Sequence, residues 1–226
     1  MKPTMLRDIP PDDRPRERLQ KQGAELLTNA ELLAILLRTG KKGESALRLA
    51  ESILADAGGV GRLSTLSVEQ LVKNYRLGTV QAITLAAAVE LSARIESEKL
   101  SKEKFSDSET VKRYLQLRYA GRPQETTGVL LLDARHRLLK DRECYRGTLD
   151  RALVEPREIL KSALLEDACA IILYHNHPSG DPSPSSEDAE FTRRLKAAAD
   201  LLSVRLLDHF IIGREGCVSL REAGIL

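Results

Sequence analysis

"YHNHPSGDPSPSSED", residues 174–188, places two histidines one residue apart, then a loop punctuated by Pro and Gly, then a carboxylate. The chain holds four histidines in all, so half of them fall within this short stretch. Just ahead of it, "CAIIL" (169–173) is short, apolar and β-prone, which reads as a buried strand over Cys169–Leu173. Side chains alternate along a strand, so His175 and His177 project to one side at its C-terminal end and Asn176 to the other. Pro178, Gly180, Pro182 and Pro184 stop both strand and helix, and the chain turns. Ser185 or Ser186 caps the next helix, which puts Asp188 in its first turn, where the helix dipole favours an ionised carboxylate. Two imidazoles and a carboxylate suit zinc, and three protein ligands leave a fourth position open, as in catalytic sites. Each part alone has a plainer explanation: S-x-x-D is close to a helix-capping box, and loop histidines often only make hydrogen bonds. Their coincidence favours a metal site.

Outward from this stretch, helices and strands alternate. "SETVKRYLQLRYAG" reads as a helix, "TTGVLLLD" and "RLLKDRECYRG" as strands, and "PREILKSALLEDA" as a helix with Pro156 in its first turn. After the histidines come a helix in "SSEDAEFTRRLKAAADLLS" and strands in "VRLLDHFIIG" and "CVSL". This alternation predicts an α/β domain, a sheet with helices packed on it. The first hundred residues predict a small helical module instead. "TNAELLAILLRTG" starts with a capping box, Thr28 to Glu31, and "SVEQLVKNY" with another, Ser67 to Gln70. "ESALRLAESILADAGG" carries a helical apolar stripe, and "TVQAITLAAAVELSARIESEK" is long and Ala-rich. The polar segment "SEKLSKEKFSDSE" (97–109) marks the boundary. The expected division is a helical module over 1–100 and an α/β domain over 105–226.

Composition narrows the classes. The 226 residues form one large domain or two small ones, and with 42% hydrophobic and 30% charged residues the chain is of globular type. No apolar run approaches the roughly 20 residues that span a bilayer, and the N-terminus has no apolar leader core, so no membrane and a cytoplasmic location are expected. Cys144, Cys169 and Cys217 form no close pair, which argues against a disulfide framework; Cys169 is expected as a buried small hydrophobe. Net charge is only +2, with 17 Lys and Arg against 14 Asp and Glu in residues 1–104 and 18 against 19 after them. The one dense basic stretch, "RPRERLQK" (14–21), is a solvated arm or a phosphate-contacting one. With no Trp and 4% aromatics, a base-stacking platform is disfavoured.

The residues His175, His177, Ser185 and Asp188 meet every position of H-x-H, seven residues, S-x-x-D. This resembles the JAMM signature of the MPN-plus, or JAB-type, metalloprotease-like family. That family also carries a glutamate ahead of a strand some fifty residues upstream, a place matched by Glu125 in "QETTGVLLLD". From this sequence alone Glu125 is an ordinary carboxylate at a loop end. The likeness is closer still to the RadC branch, through "HNHPSGDPSPSSED", "PREI" with "AL", "RGTL", "LLDHFIIG" and "AELLAILLRTG". It covers essentially the whole chain. The resemblance implies a cytidine-deaminase-like sheet with packed helices in the C-terminal domain. It implies one Zn(2+) per chain on His175, His177 and Asp188, Glu125 as the base that takes a proton from the attacking water, and Ser185 as a hydrogen-bond donor to the oxyanion. Asp208 and His209 are also typical of the branch and are expected to support the site or the fold rather than to bind metal. Relatives resemble helix-hairpin-helix proteins around "VKNYRLGTVQAITLAAAVEL", where such hairpins usually read G-x-G. Here the triplet is Arg76-Leu77-Gly78, and the Cβ of Arg76 obstructs the close phosphate approach that glycine allows.

Three functions compete on this reading. The first is a zinc hydrolase acting on a peptide or isopeptide bond of a protein or peptide substrate. The second is a DNA-associated protein, of repair or recombination, whose metal site cuts a phosphodiester or only supports binding. The third is a scaffold with an idle site, which the intact set Glu125, His175, His177, Ser185 and Asp188 weakens. One metal with a single carboxylate is thin for two-metal phosphodiester chemistry, so the hydrolase is favoured, with weak DNA binding at best through the N-terminal module.

Overall fold

The computed structural model describes residues 10–147, 155–214 and 216–226. Residues 1–9, read above for a missing leader, and Thr148-Leu149 of "RGTL" lie outside the described residues. Contacts divide the chain into two compact units between Ser92 and Ala93.

In the first unit, helices start where side chains answer the free N–H groups of their first turn. α2 (Asn29–Leu37) opens on a reciprocal box in which Glu31 N–H donates to Thr28 Oγ1 and Thr28 N–H to Glu31 Oε2, at 3.2 and 2.8 Å. α4 (Val68–Tyr75) opens on the same device between Ser67 and Gln70, and Ser45 caps α3 (Ala46–Ala57). The 22-residue α5 (Thr79–Leu100) follows and contains the division at Ser92–Ala93. Leu33, Leu37, Leu49, Ile53, Leu71 and Leu85 form the core of this unit. The basic stretch is not an arm. Pro15–Gln22 is a helix, α1, started by Pro15. Arg18 from it pairs with the buried Glu31 and donates to the Leu26 carbonyl, so an expected solvated cation holds α1 to α2.

The second unit is a five-stranded mixed sheet with helices on both faces. Its strands are β1 (Glu125–Leu132), β2 (Leu138–Gly147), β3 (Ala170–Asn176), β4 (Arg205–Ile212) and β5 (Cys217–Ser219), in the order β2-β1-β3-β4-β5. Only β3 and β4 run parallel; the other neighbours are antiparallel. α6 (Ser108–Tyr119) supplies Tyr114, Leu115 and Tyr119 to a core with Ile172, Tyr174 and Phe210. On the opposite face α7 (Pro156–Leu165) and α8 (Ser186–Leu201) pack Ile159, Leu160 and Leu195 against Val129, Ile171 and Leu173. β3 is buried on both faces throughout, and α8 is its crossover to β4. The parallel connection brings the chain back past the sheet, so the start of α8 follows the C-terminal end of β3 directly.

The strand is shifted relative to the sequence expectation. It begins at Ala170 and runs to Asn176, and Cys169 is exposed rather than buried. Cys169 keeps a sheet-like backbone, accepting from Arg205 N–H at 3.1 Å, but stands before the covered part of the strand. Among the described residues, no helix is long and apolar enough to cross a membrane.

Candidate metal centre

Strand parity decides what faces α8. His175 shares the face of Ile171 and Leu173, and Tyr174 shares the face of Ile172. The turn after β3 is held by His177 N–H donating to the Ile212 carbonyl at 2.8 Å and Arg214 N–H to the Gly180 carbonyl at 3.0 Å. Gly213 makes this closure sterically feasible: a Cβ there would lie 2.3 Å from the Gly180 oxygen and 2.8 Å from Pro182 Cδ. The turn delivers Ser185 as the N-cap of α8 and Asp188 in its first turn.

His175, His177 and Asp188 converge, with one ligand atom from each lying within 4.8 Å of the others. His175 Nε2 and His177 Nε2 are 2.9 Å apart, and His175 Nε2 lies 3.4 Å from Asp188 Oδ1. His177 Nδ1 is 2.7 Å from the Asp181 carbonyl oxygen. A carbonyl only accepts, so Nδ1 carries a proton, and Nε2 is the ring nitrogen left to present a lone pair to a metal. Asp188 Oδ2 accepts from Ser185 N–H at 2.8 Å and from Ser185 Oγ–H at 2.6 Å, which leaves Oδ1 on the histidine side. Electron-rich atoms packed this closely need a cation among them. Tetrahedral zinc with nitrogen and oxygen ligands separates its donor atoms by about 3.3 Å, and the two spacings straddle that value. His175, His177 and Asp188 therefore fit a metal of that kind.

Glu125 opens β1 and is not among the converging atoms. Its place follows from register. Thr127 pairs with His175 at the end of the antiparallel β1–β3 ladder, and Glu125, two residues earlier in β1, shares the strand face of Thr127. Asn176 fixes that strand entry from the other side of β3. Its Oδ1 accepts from Thr126 N–H at 2.8 Å, and its Nδ2 donates to the Gln124 carbonyl at 3.3 Å. The residue between the two histidines thus holds the backbone on either side of Glu125. Sequence reading placed Asn176 opposite the histidines but gave it no task, because its partners are fifty residues away.

Ser185 is a clamp in this geometry. Its single hydroxyl proton lies on Asp188 Oδ2, and its oxygen accepts from Asp188 N–H at 3.2 Å. Donation to an oxyanion would require that proton to leave the carboxylate.

Asp208 and His209 have separate tasks. Asp208 is buried and accepts from His209 N–H at 2.7 Å, from Arg221 N–H at 3.1 Å and from the Ser219 hydroxyl, which ties β5 and the residues after it to β4. His209 lies behind His175, with its Nε2 2.9 Å from His175 Nδ1 and its Nδ1 2.6 Å from Thr192 Oγ1. Burial, then proximity to the His175 and His177 rings, holds its pKa well below the ordinary histidine value. Thr192 gave no signal in the sequence; a threonine inside a helix is ordinary until the element packed on it is known.

Comparison with known proteins places these features in a family. The RadC-like JAB domain family matches residues 105–225, and the UPF0758 N-terminal family matches residues 6–83. A UPF0758 protein of Methylibium petroleiphilum is 46% identical over 98% of this chain and 100% of its own length. One from Marinomonas sp. is 45% identical over 98% of this chain and 99% of its own. One from Geobacter sulfurreducens is 41% identical over 96% of each. Those names state no activity, but the JAB domain is a metal-dependent, hydrolase-like fold, and the likeness spans both units. The H-x-H strand end and the acidic first turn of α8 thus sit inside a full-length match, and the chain belongs to the RadC family.

Proposed function

We propose that the second unit is a zinc-dependent hydrolase that cleaves a peptide or isopeptide bond. The observation that carries this reading is the convergence of His175 Nε2, His177 Nε2 and Asp188 Oδ1, with His177 set by a backbone carbonyl to present its lone pair. When bound, zinc would supply a Lewis acid that makes water a nucleophile near neutral pH and polarises a scissile carbonyl. Glu125 accepts the proton of the attacking water and returns it to the leaving amine. Asn176 holds the strand entry that positions Glu125. Ser185 keeps Asp188 turned so that Oδ1, not Oδ2, meets the metal.

The test is hydrolysis of peptide, isopeptide and DNA substrates by the zinc-loaded protein, with Glu125→Gln as control. Cleavage of an amide that Glu125→Gln loses supports the reading. Cleavage of DNA alone would overturn it.

A second reading, DNA association through the first unit, has its own observation. Arg38, Lys42, Lys73 and Arg76 are exposed, and none makes a side-chain hydrogen bond or ion pair among the described residues. Lys41 Nζ donates to the Tyr75 carbonyl at 3.2 Å, and Gln81 Nε2 to the Thr39 carbonyl at 2.7 Å, so the two loops that carry Arg38, Lys42 and Arg76 are neighbours. Arg76 takes the left-handed conformation usual for glycine, with φ 54°. Yet Gly78 N–H already donates to Gln81 Oε1 at 3.2 Å, so the hairpin turns less of its backbone toward a phosphate than charge alone suggests. We expect weak, sequence-independent DNA binding that disappears as salt rises. Binding that survives moderate salt would show that the hairpin does more than present charge.

A further inference from the structure

We infer that Thr192 and His209 are positioning residues that dictate which nitrogen of His175 presents its lone pair to the metal. The inference rests on the metal-site reading and adds a device that the reading does not require. Thr192 Oγ1 lies 2.6 Å from the Asp188 carbonyl oxygen and 2.6 Å from His209 Nδ1; His209 Nε2 lies 2.9 Å from His175 Nδ1. Thr192, His209 and His175 are all buried, so water does not complete these bonds.

The directions follow one from another. The Asp188 carbonyl only accepts, so the single hydroxyl proton of Thr192 points to it, the back-bond usual for threonine inside a helix. Toward His209 the Thr192 oxygen can then only accept, which puts a ring proton on Nδ1; the ring is buried and, among the described residues, meets no carboxylate, so it carries that proton alone. His209 Nε2 is left as an acceptor, and the group facing it, His175 Nδ1, is the donor. A neutral His175 protonated at Nδ1 has its lone pair at Nε2, the atom 2.9 Å from His177 Nε2. Reversing any one proton would set two lone pairs or two N–H groups face to face in a buried site.

Both ligand histidines are thus set by main-chain carbonyls, one in the loop after β3 and one in the first turn of α8. His177 is set directly by Asp181, and His175 is set at a distance by Asp188 through Thr192 and His209. The second carbonyl belongs to the residue whose carboxylate completes the site. The helix turn that supplies one ligand therefore also fixes the protonation of another. A partner that orients a ligating histidine typically contributes tenfold to a hundredfold in metal affinity.

The experiment uses the full chain with Thr192→Val, which keeps shape and removes the hydroxyl, and Thr192→Ser, which restores it. Zinc affinity is read by competition with a chromophoric chelator. The ring protonation of His209 is read from long-range proton–nitrogen NMR correlations, and folding from a thermal melt. The expected result is His209 protonated on Nδ1 alone in the wild-type protein, a zinc affinity ten to a hundred times weaker in Thr192→Val, and recovery to within a few-fold in Thr192→Ser. Wild-type affinity in a folded Thr192→Val protein overturns the inference. So does wild-type His209 with its proton on Nε2, a result that needs no variant to fold and no metal to bind. A wild-type chain that takes up no zinc sinks the metal reading instead, while the His209 spectrum still decides the direction of the relay.

Discussion

The two faces of the sheet each bury a carboxylate among rings, and they treat it in opposite ways. On the α6 face, Asp141 accepts from the hydroxyls of Tyr114, Tyr119 and Tyr174 at 2.6–2.9 Å, and Arg118 Nε lies 3.1 Å away. Every partner brings a proton or a positive charge, and the cluster is closed. Gly128 leaves room for it: a Cβ there would stand 2.2 Å from the Tyr174 hydroxyl. On the α8 face, Asp188 has one oxygen satisfied by Ser185, and the other turns toward two imidazole nitrogens. β3 serves both faces by alternation, with Tyr174 on one side and His175 and His177 on the other. A carboxylate ringed by donors holds a fold together. One set among lone pairs is completed from outside. The first is a structural polar cluster; the second has the donor set of a metal site.

The largest effect that tests the contrast is loss of the metal. His175→Ala with His177→Ala is expected to abolish zinc uptake, read by metal analysis of the purified protein, while leaving the Asp141 cluster intact. If metal analysis of the wild-type protein shows no bound metal even after zinc addition, the carboxylate on the α8 face is as closed as the one on the α6 face.

Next in size is the division between two carboxylates on the metal face. Glu125→Gln keeps shape but cannot take a proton, so turnover is expected to fall about a hundredfold or more at unchanged zinc content. Asp188→Asn is expected to lose zinc affinity and activity together. Zinc lost from Glu125→Gln and kept by Asp188→Asn would mean that the two roles are interchanged.

The H-x-H and S-x-x-D parts were legible because their geometry is local. Two residues along a strand share a face, and three residues along a helix start form a cap. Glu125 is marked only through resemblance: nothing local in the sequence distinguishes it from other loop-end carboxylates, and it does not join the converging ligand atoms. Asn176, Thr192 and His209 form the support of the site, and apart from the Thr192–Asp188 bond these partners lie 17 to 52 residues away in sequence. No periodicity reports such pairings. Cys169 is exposed against expectation because an apolar run does not say where the covering helices begin. The basic stretch became α1 because its proline and its partner Glu31 outweigh its charge. The alternation of elements and the capping boxes gave the α/β class and the helical start without any of these details.

The closed cluster gives a smaller effect, confined to stability. Asp141→Asn would leave buried hydroxyls poorly answered and is expected to cost about 2 kcal/mol in denaturant unfolding with zinc affinity unchanged. Burial first, and then the Asp141 charge, raises the pKa of Tyr114 and Tyr174 above the ordinary value near 10, and Tyr119 is shifted the same way. A raised folded-state pKa means that this stability is fully present below the unfolded value and is lost as pH climbs beyond it. Absorbance titration should therefore show three of the five tyrosines ionising only as the chain unfolds in alkali. Their ionisation in a folded chain would show that the cluster is open.

The smallest effect is the most discriminating, because Ser185 belongs to the fold and to the site at once. Its oxygen caps α8, and its proton lies on Asp188 Oδ2 at 2.6 Å. Ser185→Ala removes the cap, which costs roughly 1 kcal/mol in a thermal or denaturant melt. It also removes one of the two donors on Oδ2, while the Ser185 N–H bond at 2.8 Å remains and keeps the carboxylate near its place. Zinc affinity should then fall by about tenfold, the low end for a partner that orients a ligand. At saturating zinc, turnover should stay within a few-fold of wild type. The resemblance implies a different assignment, in which this hydroxyl donates to an oxyanion. That role predicts unchanged zinc affinity and a loss of about a hundredfold in turnover even when the site is full. The two outcomes differ in which quantity moves, so a single variant assayed for stability, metal and rate decides whether Ser185 acts on Asp188 or on the substrate.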